Sequence, residues 1–257
     1  MSNIIQSLWI GGTLSKMEKL CLKSFVDNGH IVHLYTYGKV ENVPYNVIIK
    51  DGNEIVDESE IFTYKNGSYS AFSNYFRFTL LYKKGGYWVD ADLLCTKSFN
   101  LEQGIVIAGE PTRDYKNTLP SSFMIKLPKG SPIAKKGVEI QKEHKKLILT
   151  GEMEWGSGPA TIKNLIELYN LEKYILPWKT TTTCFYEHFT TLTNPDIKEW
   201  NPHICGKSIA KVEELPEENI CIHLWNERWR RMNSHYGKNK SYDERSIYEY
   251  FKKKHNI

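Results

Sequence analysis

The stretch Tyr69–Thr96 reads YSAFSNYFRFTLLYKKGGYWVDADLLCT, and it decides the fold. Apolar side chains recur at helical spacing from Phe72 to Leu80, and Gly85-Gly86 ends the predicted helix. The apolar run Tyr87-Trp88-Val89 follows at once and predicts a buried strand. Two carboxylates, Asp90 and Asp92, come directly after that strand. A helix, a glycine turn and a buried strand that ends on acidic residues indicate an α/β unit with a ligand site at the strand end.

The two aspartates predict a metal site. Ligands of α/β proteins bind at the carboxyl ends of the strands, so we expect the chain to turn there and both carboxylates to reach one ligand. Carboxylate oxygens suit Mg²⁺ or Mn²⁺, which commonly complete their coordination with substrate phosphates. Burying the pair behind Trp88 without a cation would be costly. The alternative is an Asp pair in a solvated loop, because Asp-x-Asp is common by chance.

The rest of the chain continues the α/β pattern. A strand over Ile4–Ile10 stops at Gly11-Gly12, and an amphipathic helix of about 14 residues follows and ends at Gly29. This strand–helix–strand opening predicts a mainly parallel central sheet flanked by helices. Further strands are predicted at Ile31–Tyr37, Asn46–Lys50, Ile105–Gly109, Phe123–Leu127 and Asn219–Leu224, and further helices begin at Ser131-Pro132 and after Gly158-Pro159.

Composition excludes several classes of protein. The 257 residues carry a net charge of +4 and 40% hydrophobic residues, which rules out intrinsic disorder. The small charge, with no basic stripe interleaved with aromatics, argues against nucleic acid as a partner. The longest run without charged residues, Met1–Ser15, is too short for a membrane span and lacks the features of a signal peptide. These observations predict a cytoplasmic protein. The scattered Cys21, Cys95, Cys184, Cys205 and Cys221 are expected to be reduced, buried thiols.

The order of the motifs resembles a known family. Ser73-Asn74-Tyr75-Phe76-Arg77 followed by Gly85–Asp92 is similar to the DXD-containing sugar-transferase family. That family groups bacterial capsule and lipopolysaccharide glycosyltransferases with eukaryotic α-glycosyltransferases, and the glucosylating clostridial toxins share its core motif. Leu8–Gly12, Trp155–Pro159 and Ile222–Glu227 resemble the family's other motifs in the expected order.

One residue departs from the family pattern. The family usually has Asp where this chain has Asn74. An Asp there only accepts hydrogen bonds from sugar hydroxyls, whereas Asn both donates and accepts them. The departure therefore concerns the donor sugar more than the reaction class.

The resemblance implies a GT-A fold, a Rossmann-like nucleotide-diphospho-sugar transferase, and it implies Mn²⁺ or Mg²⁺ as cofactor. Asp92 would ligate the metal directly, and Asp90 would contact the ribose or complete the metal's shell. His223 stands where related enzymes place a late metal ligand, with Asn226 as a substitute.

The resemblance also implies a binding site for a nucleotide-sugar donor. Trp9 would stack on the donor base, with Ile10 beside it, and Arg77 would reach the diphosphate or the sugar. The remaining donor-binding residues would be Ser73, Asn74, Asp90 and Gly158, and the catalytic set would be Asp90, Asp92 and Arg77.

As a function, the resemblance implies a metal-dependent retaining glycosyltransferase. It would move a hexose from a nucleotide sugar, best matched by a UDP-sugar, to a hydroxyl of a glycan or glycolipid acceptor in surface polysaccharide synthesis. Residues 1–257 would form one domain, with a nucleotide-sugar-binding half (1–110), an acceptor-side half (111–232) and a basic C-terminal tail (233–257). That tail could hold the protein against the inner face of the membrane.

Two other classes remain as alternatives. One is a non-catalytic protein that binds nucleotides or carbohydrates. The other is a phosphatase-type hydrolase whose Asp-x-Asp also follows a hydrophobic strand, although that motif normally continues with Thr or Val and this one continues with Leu93.

Overall fold

The computed structural model describes residues 3–197, 207–232 and 236–257. Its strands are, in chain order, β1 (Ile4–Trp9), β2 (Ile31–Thr36), β3 (Val47–Asp51), β4 (Gly86–Val89), β5 (Leu93–Cys95), β6 (Val106–Pro111), β7 (Thr118–Leu127) and β8 (Cys221–His223). Its helices are α1 (Lys16–Asp27), α2 (Ser70–Lys84), α3 (Pro132–Thr150), α4 (Ser157–Tyr169), α5 (Trp178–Thr181), α6 (Asn226–Arg231) and α7 (Ile247–Lys254), with short 3-10 helices between some of them.

Six strands form the central sheet, in the order β3-β2-β1-β4-β7-β6. The pairs β3–β2, β2–β1 and β1–β4 are parallel. Strand β7 runs antiparallel to both of its neighbours, so β6 again runs in the direction of β1 and β4. The predicted fold class, α/β with a mainly parallel central sheet flanked by helices, is confirmed. The antiparallel direction of β7 is the feature of the sheet that the sequence did not predict.

The junction between α2 and β4 explains why glycine stands there. Gly85 has φ 69°, a left-handed conformation that glycine adopts without strain. A Cβ atom on Gly85 would lie 2.4 Å from the backbone nitrogen of Lys129. The turn can therefore be this tight only without a side chain. Strand β4 begins directly after the turn, and Asp90 follows its last residue.

The two faces of the sheet bury different clusters. Phe72, Phe76 and Trp88 belong to the cluster that α2, α3 and α4 cover. Val89 and Phe123 belong to the cluster on the opposite face, where α1 packs against β5. Strands β5 and β8 pair with each other outside the central sheet. They form a small second layer beside the end of β4.

Element boundaries differ from the sequence predictions mainly in the second half of the chain. Strand β7 begins five residues earlier than predicted, at Thr118, and β5 was not predicted separately from the strand before the aspartates. Helix α4 begins at Ser157, before the Gly158-Pro159 pair rather than after it. Boundaries are weakly encoded locally, because pairing with a neighbouring strand decides where a strand stops.

Cysteines and membrane-spanning potential follow the predictions where they are described. Cys21, Cys95, Cys184 and Cys221 are buried free thiols, and Cys205 lies outside the described residues. Among the described residues, none of the helices combines the length and the apolar character needed to cross a membrane.

Candidate active site

A cavity of about 610 Å³ opens at the carboxyl ends of β1 and β4. All nine residues that the sequence placed in the site line this cavity: Trp9, Ile10, Ser73, Asn74, Arg77, Asp90, Asp92, Gly158 and His223. They come from the end of β1, one side of α2, the turn after β4, the start of α4 and the end of β8. The fold thus brings together residues from across the whole chain.

The two aspartates stand on a turn, as expected. The backbone N–H of Leu93 donates to the carbonyl of Asp90 at 3.0 Å, which reverses the chain after β4. Leu93 then pairs with His223 across β5 and β8, and the N–H of Leu224 donates to the carbonyl of Asp92 at 3.0 Å. This pairing places the last residue of β8 beside the second aspartate.

Asp90, Asp92 and His223 form a candidate metal centre. One ligand atom from each lies within 4.8 Å of the others. Oδ2 of Asp92 lies 3.3 Å from Nε2 of His223 and accepts a hydrogen bond from the backbone N–H of Asn226 at 2.8 Å. The imidazole stacks on Phe123, with ring centroids 4.3 Å apart. These contacts hold all three side chains in place before any ligand arrives.

The chemistry of this donor set fits a divalent cation. Two carboxylates and one imidazole are ligands that Mn²⁺ and Mg²⁺ sites can use. Nδ1 of His223 is buried and has no hydrogen-bond partner among the described residues. The cluster can therefore hold a divalent metal, as the sequence predicted, while the geometry does not select one ion.

The charges of Asp92 and His223 depend on each other. Burial raises the pKa of Asp92, but the nearby His223 and the N–H of Asn226 outweigh it, so the pKa lies below its usual value. Burial lowers the pKa of His223, but attraction to Asp92, Asp90 and Glu110 outweighs it, so the pKa is raised. The cluster thus concentrates negative charge, and a proton or a metal ion at His223 compensates part of it.

Arg77 is held inside the protein by three partners. Its guanidinium, only 3% exposed, donates through Nη2 to Oδ1 of Asp90 at 2.6 Å and through Nη1 to Oδ1 of Asn74 at 2.8 Å. It also lies over the ring of Trp88, 5.0 Å from its centre, and Nε1 of Trp88 donates to the same Oδ1 of Asp90 at 2.7 Å. Both of these donors use Oδ1 of Asp90, and among the described residues no hydrogen bond occupies its Oδ2.

Asn74 links α2 to the start of α4. Its amide donates to the hydroxyl of Ser157 at 2.9 Å, and the hydroxyl of Tyr64 also donates to that hydroxyl, at 2.6 Å. A Cβ atom on Gly158 would lie 2.8 Å from Oδ1 of Asn74. Gly158 is therefore required by close packing against Asn74, and the two residues form one wall of the cavity.

One end of the cavity is formed by the end of β1. Trp9 is the last residue of β1, Ile10 follows it, and both residues line the cavity. Nε1 of Trp9 is buried without a hydrogen-bond partner among the described residues. The ammonium group of Lys238 lies 5.6 Å from the centre of the Trp9 ring, so the C-terminal segment also reaches this end.

Unpartnered polar atoms concentrate at this cavity. Six of the thirteen buried side-chain nitrogen and oxygen atoms without a hydrogen-bond partner, counted over the described residues, belong to residues that line it: Trp9, Arg77, His223, Trp225, Asn226 and Arg228. Such atoms are costly to leave unsatisfied, and a polar ligand that pairs with them recovers that cost. Four of the six lie in the consecutive stretch His223–Arg228.

Sequence reasoning missed Glu110. This residue lies at the end of β6 and lines the cavity near Ser121 and Ser122 of β7. Burial raises the pKa of Glu110, while His223 and a hydrogen bond with Ser121 lower it by less. Its one sequence signal was a carboxylate directly after the predicted strand Ile105–Gly109, the same signal that Asp90 gives after β4.

The basic cluster that follows β8 also borders the cavity. Arg228, Arg230 and Arg231 line it, and the guanidinium of Arg231 lies 5.3 Å from the ring centre of Trp155. Glu227 accepts hydrogen bonds from Arg230 and Arg231, which neutralises part of their charge. The basic residues are therefore part of the cavity mouth.

Several solved structures are similar to this chain. The PaToxG glycosyltransferase is 19% identical with a TM-score of 0.47, over 67% of this chain and 72% of that chain. The ligand-free glycosyltransferase domain from the YGT toxin is 10% identical with a TM-score of 0.43, over 74% and 84%. The apo-form glycosyltransferase GlyE in Streptococcus pneumoniae TIGR4 is 12% identical with a TM-score of 0.46, over 87% and 54%.

One family model matches the sequence directly. No curated protein matches the chain significantly. The family described as capsular polysaccharide synthesis protein matches residues 55–143. This segment contains α2, β4 and the two aspartates of the candidate metal centre, the residues that carry the resemblance to sugar transferases. That resemblance is confirmed: over residues 55–143 the chain is similar to capsular polysaccharide synthesis proteins.

Proposed function

We propose that this protein is a metal-dependent glycosyltransferase that moves a hexose from a UDP-sugar to a hydroxyl of a glycan or glycolipid, with retention of anomeric configuration. The observation that carries the proposal is the cluster of Asp90, Asp92 and His223 in the cavity at the carboxyl end of β4. Asp90 and Asp92 lie inside the segment similar to capsular polysaccharide synthesis proteins, which supports a GT-A transferase that serves surface polysaccharide synthesis.

In the proposed reaction each residue has one task. Asp92 and His223 hold the cation, and Asp90 offers its second oxygen to the cation or to the ribose. A divalent cation bound there would neutralise the charge that develops on the departing diphosphate. Trp9 stacks on the base. Arg77 fixes the orientation of Asp90, because Nη2 donates to Asp90 while Nη1 donates to Asn74.

The geometry argues against the phosphatase-type hydrolase. In that class the first aspartate acts as a nucleophile. Here Oδ1 of Asp90 accepts hydrogen bonds from both Arg77 and Trp88, which lowers the nucleophilicity of the carboxylate. Phosphate release from para-nitrophenyl phosphate distinguishes this class, and we expect none.

The proposal is tested with Asp92→Asn. Asparagine still accepts the hydrogen bond from the N–H of Asn226, so the fold is preserved, but it removes the charge that attracts a cation. Mn²⁺ binding in the presence of UDP, followed by electron paramagnetic resonance, should weaken at least tenfold, since even partners outside the coordination shell change affinity by about 10–100-fold. Release of UDP from UDP-sugars, or of GDP from GDP-sugars, should be lost, and circular dichroism should be unchanged.

A matched control is Asp114→Asn, an exposed aspartate in the turn between β6 and β7. It should bind Mn²⁺ and release UDP like the wild type. EDTA should abolish UDP release, and Mn²⁺ or Mg²⁺ should restore it. Wild-type turnover in Asp92→Asn would refute the metal site, and tight binding of UDP-sugars without any turnover would favour the non-catalytic binding protein.

A further inference from the structure

Glu110 is a carboxylate in the cavity that the proposed metal centre does not use. It lies near the end of β6, half-buried, and lines the same cavity as Asp90 and His223. Asp90, Asp92 and His223 form the compact metal-ligating group, and Glu110 is outside it. Metal binding by this group therefore does not explain why Glu110 lies in the cavity.

The strand geometry directs this side chain into the cavity. Along β6, Val106 and Ala108 face the cluster that also contains Phe123, and Glu110 shares their side because side chains alternate along a strand. The pairing of β6 with β7 shifts between Ile107 and Ala108. Such irregularities re-aim side chains and are common beside functional sites. Glu110 therefore lies on the side of β6 that faces Phe123, and the imidazole of His223 stacks on Phe123.

Glu110 differs in its partners from Asp90 and Glu227, two other carboxylates that line the cavity. Asp90 is paired with Arg77, and Glu227 is paired with Arg230 and Arg231. In the described part of the chain, no lysine or arginine pairs with Glu110; a hydrogen bond with Ser121 and the field of His223 are its interactions. A partly buried carboxylate kept without a cation, in a cavity of this size, is typical of a ligand-binding group.

The order of the strands shows where Glu110 lies along the cavity. Trp9 ends β1, Asp90 follows the neighbouring β4, and β7 separates β4 from β6. Strands lie about 4.8 Å apart, so Glu110 stands roughly 10 Å from the line of β4, on the side away from β1. A donor whose base lies at Trp9 and whose diphosphate lies at Asp90 would present its sugar in the direction of Glu110.

We propose that Glu110 binds a hydroxyl group of the sugar that is transferred. An ionised carboxylate only accepts hydrogen bonds, and sugar hydroxyls are the donors that the neighbouring space would contain. Oδ1 of Asn74 already accepts one hydrogen bond from Arg77 and carries no charge, so it is the weaker acceptor of the two. This inference rests on the proposed function and adds to it the residue that distinguishes one donor sugar from another.

The test compares UDP with UDP-sugars in Glu110→Gln. UDP lacks the sugar, so its binding in the presence of Mn²⁺ should change less than twofold. Among UDP-glucose, UDP-galactose and UDP-N-acetylglucosamine, the donor to compare is the one that the wild type turns over fastest. Its KM should rise about five- to tenfold, because glutamine still accepts a hydrogen bond but lacks the charge that makes the bond roughly twice as strong. Glu102→Gln, an identical change at an exposed site before β6, is the matched control and should match the wild type.

Each result decides the proposal. A selective loss of UDP-sugar affinity in Glu110→Gln, with UDP binding intact, supports it. Equal behaviour of Glu110→Gln and Glu102→Gln overturns it, and so does an equal loss of UDP and UDP-sugar binding, which would assign Glu110 to the metal centre or to the fold. A wild type that neither binds UDP with Mn²⁺ nor turns over any UDP-sugar refutes the proposed function itself.

Discussion

At the scale of single residues, the site depends on side chains that hold one another. Arg77 connects Asp90 of the candidate metal centre to Asn74, and Trp88 contacts both Arg77 and Asp90. A planar guanidinium can make two divergent hydrogen bonds and stack at the same time, which a lysine ammonium cannot do. The resemblance had implied that Arg77 reaches the diphosphate or the sugar, and its contacts with Asp90 and Asn74 support in addition a role in orienting Asp90.

Arg77→Lys tests this role. The positive charge is kept, but the contact to either Asn74 or Asp90 is lost. We expect affinity for Mn²⁺ in the presence of UDP to fall about 10–100-fold, the range for partners that orient a metal ligand. Isothermal titration calorimetry measures it, and Arg113→Lys, at an exposed arginine, is the control. Unchanged affinity in Arg77→Lys would show that Asp90 needs no such support.

At the scale of elements, α1 is tied to the end of the chain by one buried charge. Ser15 and Glu18 form a capping box at the start of α1. Glu18 is completely buried, and its Oε1 lies 2.5 Å from Nζ of Lys238, the residue whose ammonium also lies over Trp9. Tyr248 and Phe251 of α7 are buried in the cluster that contains Met17 and Leu20 of α1. The described end of the chain, 236–257, is therefore packed against the domain.

A double-mutant cycle measures the ion pair between these elements. Glu18→Gln retains the capping box, since glutamine can take the same place, but leaves Lys238 without its partner. We expect Glu18→Gln and Lys238→Met each to lower the free energy of unfolding by about 1–3 kcal/mol, less than a fully buried pair because Lys238 is partly exposed. Urea unfolding of both variants and of the double variant should give a coupling energy of about 1 kcal/mol or more. Purely additive losses would contradict the pairing.

At the scale of the whole molecule, histidines set part of the pH dependence. Burial is the main cause that lowers the pKa of His33, His144, His188 and His255. Below about pH 6.5 the unfolded chain then binds more protons than the folded chain at these sites, so stability falls as the pH falls. His223 acts in the opposite direction, because its raised pKa adds stability at low pH that is lost as the pH rises.

Four histidines have a lowered pKa and one has a raised pKa, so we predict that acid destabilises the fold. The urea midpoint, measured in EDTA so that no cation occupies the site, should be lower at pH 5.5 than at pH 7.5. His203 and His235 lie outside the described residues and do not enter this argument. A midpoint that stays constant or rises at pH 5.5 would mean that His223 outweighs the other four.

Local patterns predicted much of this fold. Helix α2, the glycine turn, β4 and the turn after Asp90 were predicted, because helical spacing, glycine and short apolar runs act over a few residues. The same logic predicted β1, α1 and β2. Strand β7 was predicted too short and without its antiparallel direction, because direction and length depend on which neighbours a strand pairs with.

By itself the sequence determined an α/β chain with two carboxylates at a strand end, since both follow from spacing along the chain. Tertiary structure alone decided the surroundings of those carboxylates. The backbone of Asn226 reaches Asp92 across 134 residues of sequence, through the pairing of β5 with β8, and no local pattern encodes such a register. Glu110 lines the cavity for a similar reason, because the pairing of β6 with β7 in the central sheet, and not the local sequence, brings the end of β6 to this cavity. Contacts across long separations are selected by the burial and hydrogen bonding of the whole molecule, which only the folded chain displays.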